Sequence, residues 1–397
     1  MYSKTISNLF YLTLTSTILS PYVGGATLYL YVLLPFLDAR FYKYIFQSLS
    51  VARVKLFFVF VVFLSAAVLS PGIGARIISL AIVVVYCLVT YRDNEFYLYR
   101  YVTLNIVLAI AQFSLSYTNP FLAYAIGPTN IANILWGAYA GPTNTNFFEI
   151  FLLKRVSGLS RESGFFASLL ASTLITLMCD RRMVGKRSLL YLLLAIGFVV
   201  SLSKMSLAVV LAIPIFVFRK SLSKSGVAMY FVTFFAVAFF LLNSLYFSSG
   251  KFKDDRNVSI THRASGYVLP LQMDAKDVLF GISPEAFSRK YDRNEIVIVL
   301  KRSLTNFDVP GWGGLIIQFG MLSFLIGMAY LSLIGMNGFY LAILTLLTIN
   351  ISPLAITASS AVAWFVVFLE IKNRAPAVQK KESEDAFAAS GAVRGNG

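Results

Sequence analysis

The chain has 397 residues, of which 58% are hydrophobic and only 13% charged, and its 34 Lys and Arg against 18 Asp and Glu leave a formal charge of +16. A soluble domain carries about 25% charge, so this chain cannot coat a soluble surface of its size, and its mean hydropathy of +0.74 points to lipid as the solvent. The basic excess then reports topology rather than a nucleic-acid partner. The two cysteines, Cys87 and Cys179, lie in or at the end of apolar runs and give no disulfide framework, zinc spacing or thioredoxin-like pair.

The opening stretch, Ile6 to Leu37, is interrupted by Pro21 and by Gly24-Gly25 and reads as two shorter helices forming a hairpin. Only Lys4 precedes it as a charge, and no small-residue cleavage site follows, so an uncleaved anchor is expected. Apolar runs near the roughly 20 residues that a spanning helix needs follow at 53–70, 72–91, 98–116, 163–179, 187–203, 204–218, 226–246, 312–334, 337–352 and 354–372. The expected architecture is an all-α integral membrane bundle of about 12 transmembrane helices over 1–372. A disordered cytoplasmic tail, rich in Ala, Gly, Ser, Lys and Glu, is expected over 373–397.

Short cytoplasmic loops should be rich in Lys and Arg. Alternating from a cytoplasmic N-terminus puts nineteen basic residues inside and five outside, leaving out the long loop that its length exempts, which favours both termini inside. Two external segments exceed short connectors. The first, 117–162, repeats Gly127-Pro128-Thr129-Asn130 as Gly141-Pro142-Thr143-Asn144. Between the copies Ile131, Ile134, Leu135 and Ala138 keep helical spacing, with Asn130 placed to cap the helix and Trp136 suited to headgroup depth. An interfacial helix on the outer leaflet and a loop packed on the bundle both fit. The second, 247–311, lies between the ninth and tenth spans and carries ten basic residues, eight acidic ones and the only histidine. Its apolar content, including Leu269, Val278 to Phe280 and Ile296 to Leu300, suits a small folded cap.

The spans 163–179, 205–218, 226–246 and 312–352 hold no Asp, Glu, Lys, Arg or His, which argues against a proton-coupled carrier. The external rim differs. Lys154, Arg155, Arg161, Glu162 and Lys204 gather at the outer ends of neighbouring helices, and His262-Arg263 in the long loop adds to them. Arginines facing outward above an uncharged bundle suit an anionic lipid headgroup or a pyrophosphate; snorkelling to bulk phospholipid is the alternative. The acidic groupings Asp254-Asp255, Asp274 with Asp277, and Asp292 with Glu295 stand among lysines and arginines and include no Asp-x-Asp pair, so they read as solvated faces and no metal or other cofactor is expected.

The stretch Arg155 to Ala167 resembles the arginine, glycine, acidic and Phe-Ala pattern that opens a membrane helix in bacterial O-antigen polymerases of the Wzy type and, more distantly, in O-antigen ligases. Arg263, Asp277-Val278-Leu279-Phe280-Gly281 and Gly311 to Gly320 follow in the same order. The chain departs from that pattern with Ser163-Gly164 after the acidic residue and with no histidine before the helix near 312. The resemblance implies a GT-C-like glycosyltransferase at the periplasmic face of the bacterial inner membrane. Its donor and acceptor would be undecaprenyl-pyrophosphate-linked glycans, with a chain-length regulator protein as a possible partner. On that footing Arg155, Arg161 and Arg263, with Lys204 as a fourth, bind the pyrophosphate. Glu162, His262 and Asp308 are the candidates for the base, although Glu162 at a helix start also suits the helix dipole. A ligase of the same superfamily and a lipid-linked oligosaccharide flippase or other transporter are the alternatives.

Overall fold

The computed structural model describes residues 2–24, 26–48, 71–141, 149–150, 153–183, 187–203, 258–303, 309, 311–333, 336, 338–347 and 352–371. The spans expected at 53–70, 204–218 and 226–246, the tail 373–397, and the site candidates Lys204 and Asp308 lie outside the described residues. What is described is mostly helical, and three helices are long and apolar enough to cross a membrane: Gly72–Arg92, Leu98–Thr118 and Gly311–Leu333. Shorter apolar helices run over Ser163–Cys179, Arg187–Ser201 and Ala358–Ile371. This is an all-α membrane protein.

In chain order the helices are α1 (Tyr2–Thr15), α2 (Ala39–Ser48), α3 (Pro71–Arg92), α4 (Leu98–Thr118), α5 (Pro120–Ala125), α6 (Pro128–Trp136), α7 (Ser163–Cys179) and α8 (Arg187–Ser201). They continue as α9 (Val258–Val268), α10 (Ala275–Phe280), α11 (Pro284–Lys290), α12 (Glu295–Ser303), α13 (Gly311–Leu333), α14 (Gly338–Leu347) and α15 (Ala358–Ile371). The opening segment departs from the expected helical hairpin. Only α1 forms a full helix; after it the chain makes a two-residue β-ladder, Tyr22–Val23 against Ala26–Thr27, and short helical turns over Leu30–Leu37. Pro21 and the left-handed Gly24 (φ +59) break the helix between them.

One apolar core joins α1, α3, α4, α7, α8 and α15, with Phe10, Tyr86, Phe166 and Phe365 fully enclosed. The charged ends of these helices separate into two groups. At one end Arg40 donates to Asp38 through Nε and Nη2 (3.1 and 2.7 Å) and to Glu95 through Nη1 (2.6 Å), while the Tyr86 hydroxyl also donates to Asp38 (2.8 Å). Nearby, the buried Asp180 carboxylate accepts from the hydroxyls of Tyr91 and Tyr99 and from Arg182. These two clusters tie the N-terminal ends of α1 and α4 to the C-terminal ends of α3 and α7. Buried carboxylates persist only when so paired.

The helix cap at 127–136 also differs from expectation. Gly127 is the N-cap, with Pro128 in the first turn, and Asn130 lies inside the helix, donating to the Ala125 carbonyl (2.9 Å). Proline at the first helical position costs no hydrogen bond there, which is why the helix begins before Asn130. Trp136 donates its indole N–H to the Ile18 carbonyl (3.0 Å), docking α6 on the bundle, while Ile134 stays 74% exposed on the other side.

The segment before α13 folds into α9 to α12 around its own small core of Val268, Leu269, Phe287, Ile296, Val297 and Leu300. Val309 and Ile317 belong to that core as well. α13 is broken at Gly320, whose φ of +80° is open only to glycine without strain. At the break Gly281 crosses the helix so closely that a Cβ on Gly320 would lie 2.6 Å from its nitrogen. The Ile282 N–H donates to the freed Ile317 carbonyl (2.8 Å).

Candidate functional site

The site is built on a segment of chain threaded over the end of the bundle opposite the two acidic clusters. A polar stripe on α4, Asn105, Gln112 and Ser116, is buried at spacings of seven and four residues and faces this segment. Asn105 accepts the Leu159 N–H (2.6 Å) and donates to the Thr15 carbonyl (2.8 Å). Gln112 makes a reciprocal pair with the Gly158 backbone (3.0 Å both ways). Lys154 closes the far edge, its Nζ donating to the Ser116 carbonyl (2.9 Å). Every backbone group so held is satisfied inside an apolar bundle, where an unpaired one would cost roughly 1–3 kcal/mol.

Gly158 makes the threading possible. Its φ is +58°, and a Cβ there would meet both the side chain and, at 2.7 Å, the carbonyl of Asn105. The turn fixes where Arg155 enters and where Arg161 and Glu162 leave.

Glu162 is the N-cap of α7, in extended conformation (φ −153°, ψ 161°), and its carboxylate makes no capping hydrogen bond. It turns instead toward Arg263 of α9: Glu162 Oε1 and Arg263 Nη2 come within 3.6 and 3.9 Å of the point that a Cβ on Gly164 would occupy. Glycine at 164 keeps that space open. Arg155 completes the group, within electrostatic range of Arg263. Burial lowers the Arg263 guanidinium below the ordinary arginine range; Glu162 opposes that shift and Arg155 adds to it. An arginine stays charged regardless, so the site holds a partly desolvated cation.

Arg263 is positioned by backbone contact. α9 and α13 touch at Gly266 and Gly313, where a Cβ on Gly313 would run into the Gly266 carbonyl. The cap thus carries Arg263 to the N-terminus of α7 through two glycines, Gly266 and Gly313, that are both far from Glu162 in sequence.

The structure therefore brings together Arg155, Glu162 and Arg263. His262 is half-buried on α9, about 100° round the helix from Arg263. Arg161 is turned away from the group. Its guanidinium lies against Gly141, the first residue of the second Gly-Pro-Thr-Asn copy, and within electrostatic range of Tyr31. The Arg161 backbone N–H donates to Thr17 Oγ1 (3.3 Å). Reading the sequence alone missed the α4 stripe, although Asn105, Gln112 and Ser116 stand out as buried polar residues in an otherwise apolar run. Among the described residues no group of three His, Cys, Asp or Glu could hold a metal ion.

No family model matches the chain, and no curated protein or solved structure matches it.

Proposed function

We propose that the protein is an inner-membrane polysaccharide polymerase, which joins undecaprenyl-pyrophosphate-linked repeat units at the periplasmic face, with both termini cytoplasmic and about 12 spans in all. The observation that carries this reading is the meeting of Arg155, Glu162 and Arg263 at the N-terminus of the 17-residue α7. Two guanidinium groups and the free N–H groups of a helix start suit a pyrophosphate, and a carboxylate beside them suits the attacking hydroxyl. The resemblance of Arg155 to Ala167 to the Wzy-type pattern supplies the substrate class.

In this reaction the hydroxyl at the non-reducing end of one lipid-linked unit attacks the anomeric carbon of the other. The C–O bond to the pyrophosphate breaks, Glu162 takes the hydroxyl proton, and Arg155 and Arg263 stabilise the charge that collects on the departing undecaprenyl pyrophosphate. Lys204 is assigned to the same cationic rim, and His262 and Asp308 are the alternative bases. The reaction draws on no nucleotide and no metal.

The test is to reconstitute the purified protein with its lipid-linked repeat unit in the presence of chelator and resolve the products on a gel. A ladder of lengthening glycans is expected from the wild type. Arg263→Ala and Glu162→Gln, folded and inserted, should lose it by at least a hundredfold. A ladder of wild-type intensity from both variants would remove this site. A folded wild type that makes no ladder would redirect the reading to a ligase or a flippase.

A further inference from the structure

Arg161 and Glu162 are neighbours in sequence, yet they serve different surroundings. The extended backbone at Glu162 alternates the side chains, so Arg161 and Ser163 fall on one side and Glu162 on the other. The surroundings of the two side chains agree: Glu162 meets Arg263 across Gly164, whereas Arg161 meets Gly141, Thr17 and Tyr31. On the Arg161 side Nε and Nη2 of the guanidinium and Oγ of Ser163 are buried and have no hydrogen-bond partner among the described residues. Leaving a buried donor of a charged group unpaired is costly, and burial of such groups normally comes with a partner.

We propose that Arg161 and Ser163, with the hydroxyl of Thr17, form a second phosphate-binding pocket, separate from the Arg155 and Arg263 group, that takes a lipid-borne phosphate. The inference rests on the reading above, in which two phosphorylated lipids must lie side by side. Nε and Nη2 are the fork with which an arginine grips two phosphate oxygens. The Ser163 hydroxyl at the first turn of α7 adds a third donor. Thr17 Oγ1 already accepts from the Arg161 N–H, so its own hydrogen is free to point to an oxygen. The two pockets lie on opposite sides of one extended residue, which holds two headgroups apart while keeping both at the same helix end.

The experiment measures the stoichiometry of inorganic pyrophosphate binding to the full-length protein in detergent by isothermal titration calorimetry. Two per chain are expected for the wild type, one for Arg161→Ala, one for Arg263→Ala, and none for the double variant. Arg161→Lys keeps the charge and loses the fork; it should weaken one of the two sites by tenfold or more and leave the other unchanged, which serves as the readout if Arg161→Ala does not fold. Competition with phosphatidylglycerol vesicles separates the sources: displacement from the Arg161 pocket alone assigns it to bilayer phospholipid, and no displacement assigns it to a second lipid-linked pyrophosphate. A single wild-type site that Arg263→Ala removes and Arg161→Ala leaves intact would overturn the second pocket and spare the first. No binding at all by the wild type would overturn both.

Discussion

Replacing Gly158 by alanine should unseat the segment that carries Arg155 and Glu162. Its φ of +58° costs an L-residue roughly 1–2 kcal/mol. The added Cβ would also meet Asn105, whose Oδ1 now accepts the Leu159 N–H at 2.6 Å. Moving Asn105 aside leaves that part-buried N–H unpaired, a further loss of roughly 1–3 kcal/mol. The sum is about 2–5 kcal/mol. Reversible unfolding in SDS, followed by tryptophan fluorescence, measures it. Gly72→Ala is the control, since nothing lies within 4 Å of its Cβ position, and it should stay within about 0.5 kcal/mol of the wild type. Gly158→Ala with the same stability as Gly72→Ala would show that the α4 stripe does not hold the segment in the way its hydrogen bonds indicate.

Two further outcomes follow from the ends of the molecule. Burial pushes the Asp38 carboxyl up, but hydrogen bonds from Arg40 and Tyr86 prevail and hold it below the usual carboxylate range. Its stabilising contribution is therefore complete above the unfolded value of about 3.9 and lost as pH falls through the lower folded value. A thermal melt in detergent should be steady from neutral pH down to about 5 on this account and drop at more acid pH. Asp38→Asn should be about 3 kcal/mol less stable at neutral pH and lack that part of the acid drop; an unchanged acid limb would contradict the assignment. Gly313→Ala should push α9 off α13 by driving a methyl into the Gly266 carbonyl. Limited proteolysis is then expected to cut within 258–303 faster than in the wild type while the bundle survives, and equal rates would refute the close packing.

The apolar helices at 72–91, 98–116, 163–179 and 187–203 were legible because continuous apolar runs leave few alternatives, and α3, α4, α7 and α8 match those runs to within a few residues. The opening stretch was not, because Pro21 and Gly24 mark a break without saying whether a second helix resumes after it. The run 312–334 likewise reads as one helix, and only the crossing of Gly281 explains why Gly320 adopts a left-handed angle. At the site, the residue types were legible but their grouping was not. Arg155, Arg161 and Arg263 look equivalent as cations in a sequence. Which of them face one another depends on a single extended residue and on a glycine contact between α9 and α13, neither of which has a signature in composition or period.

The lengths of the apolar helices bear on the bilayer itself. At 1.5 Å per residue, the 17 residues of α7, bounded by Glu162 and Asp180, rise about 25 Å. Typical hydrocarbon is about 30 Å thick, so a bilayer crossed by α7 would have to thin around it, as hydrophobic mismatch of this sign requires. A thinned annulus would bring the bilayer surface closer to the helix end where Glu162 and Arg263 meet, and a preference for bilayers of short acyl chain, measured on reconstitution, is its expected signature.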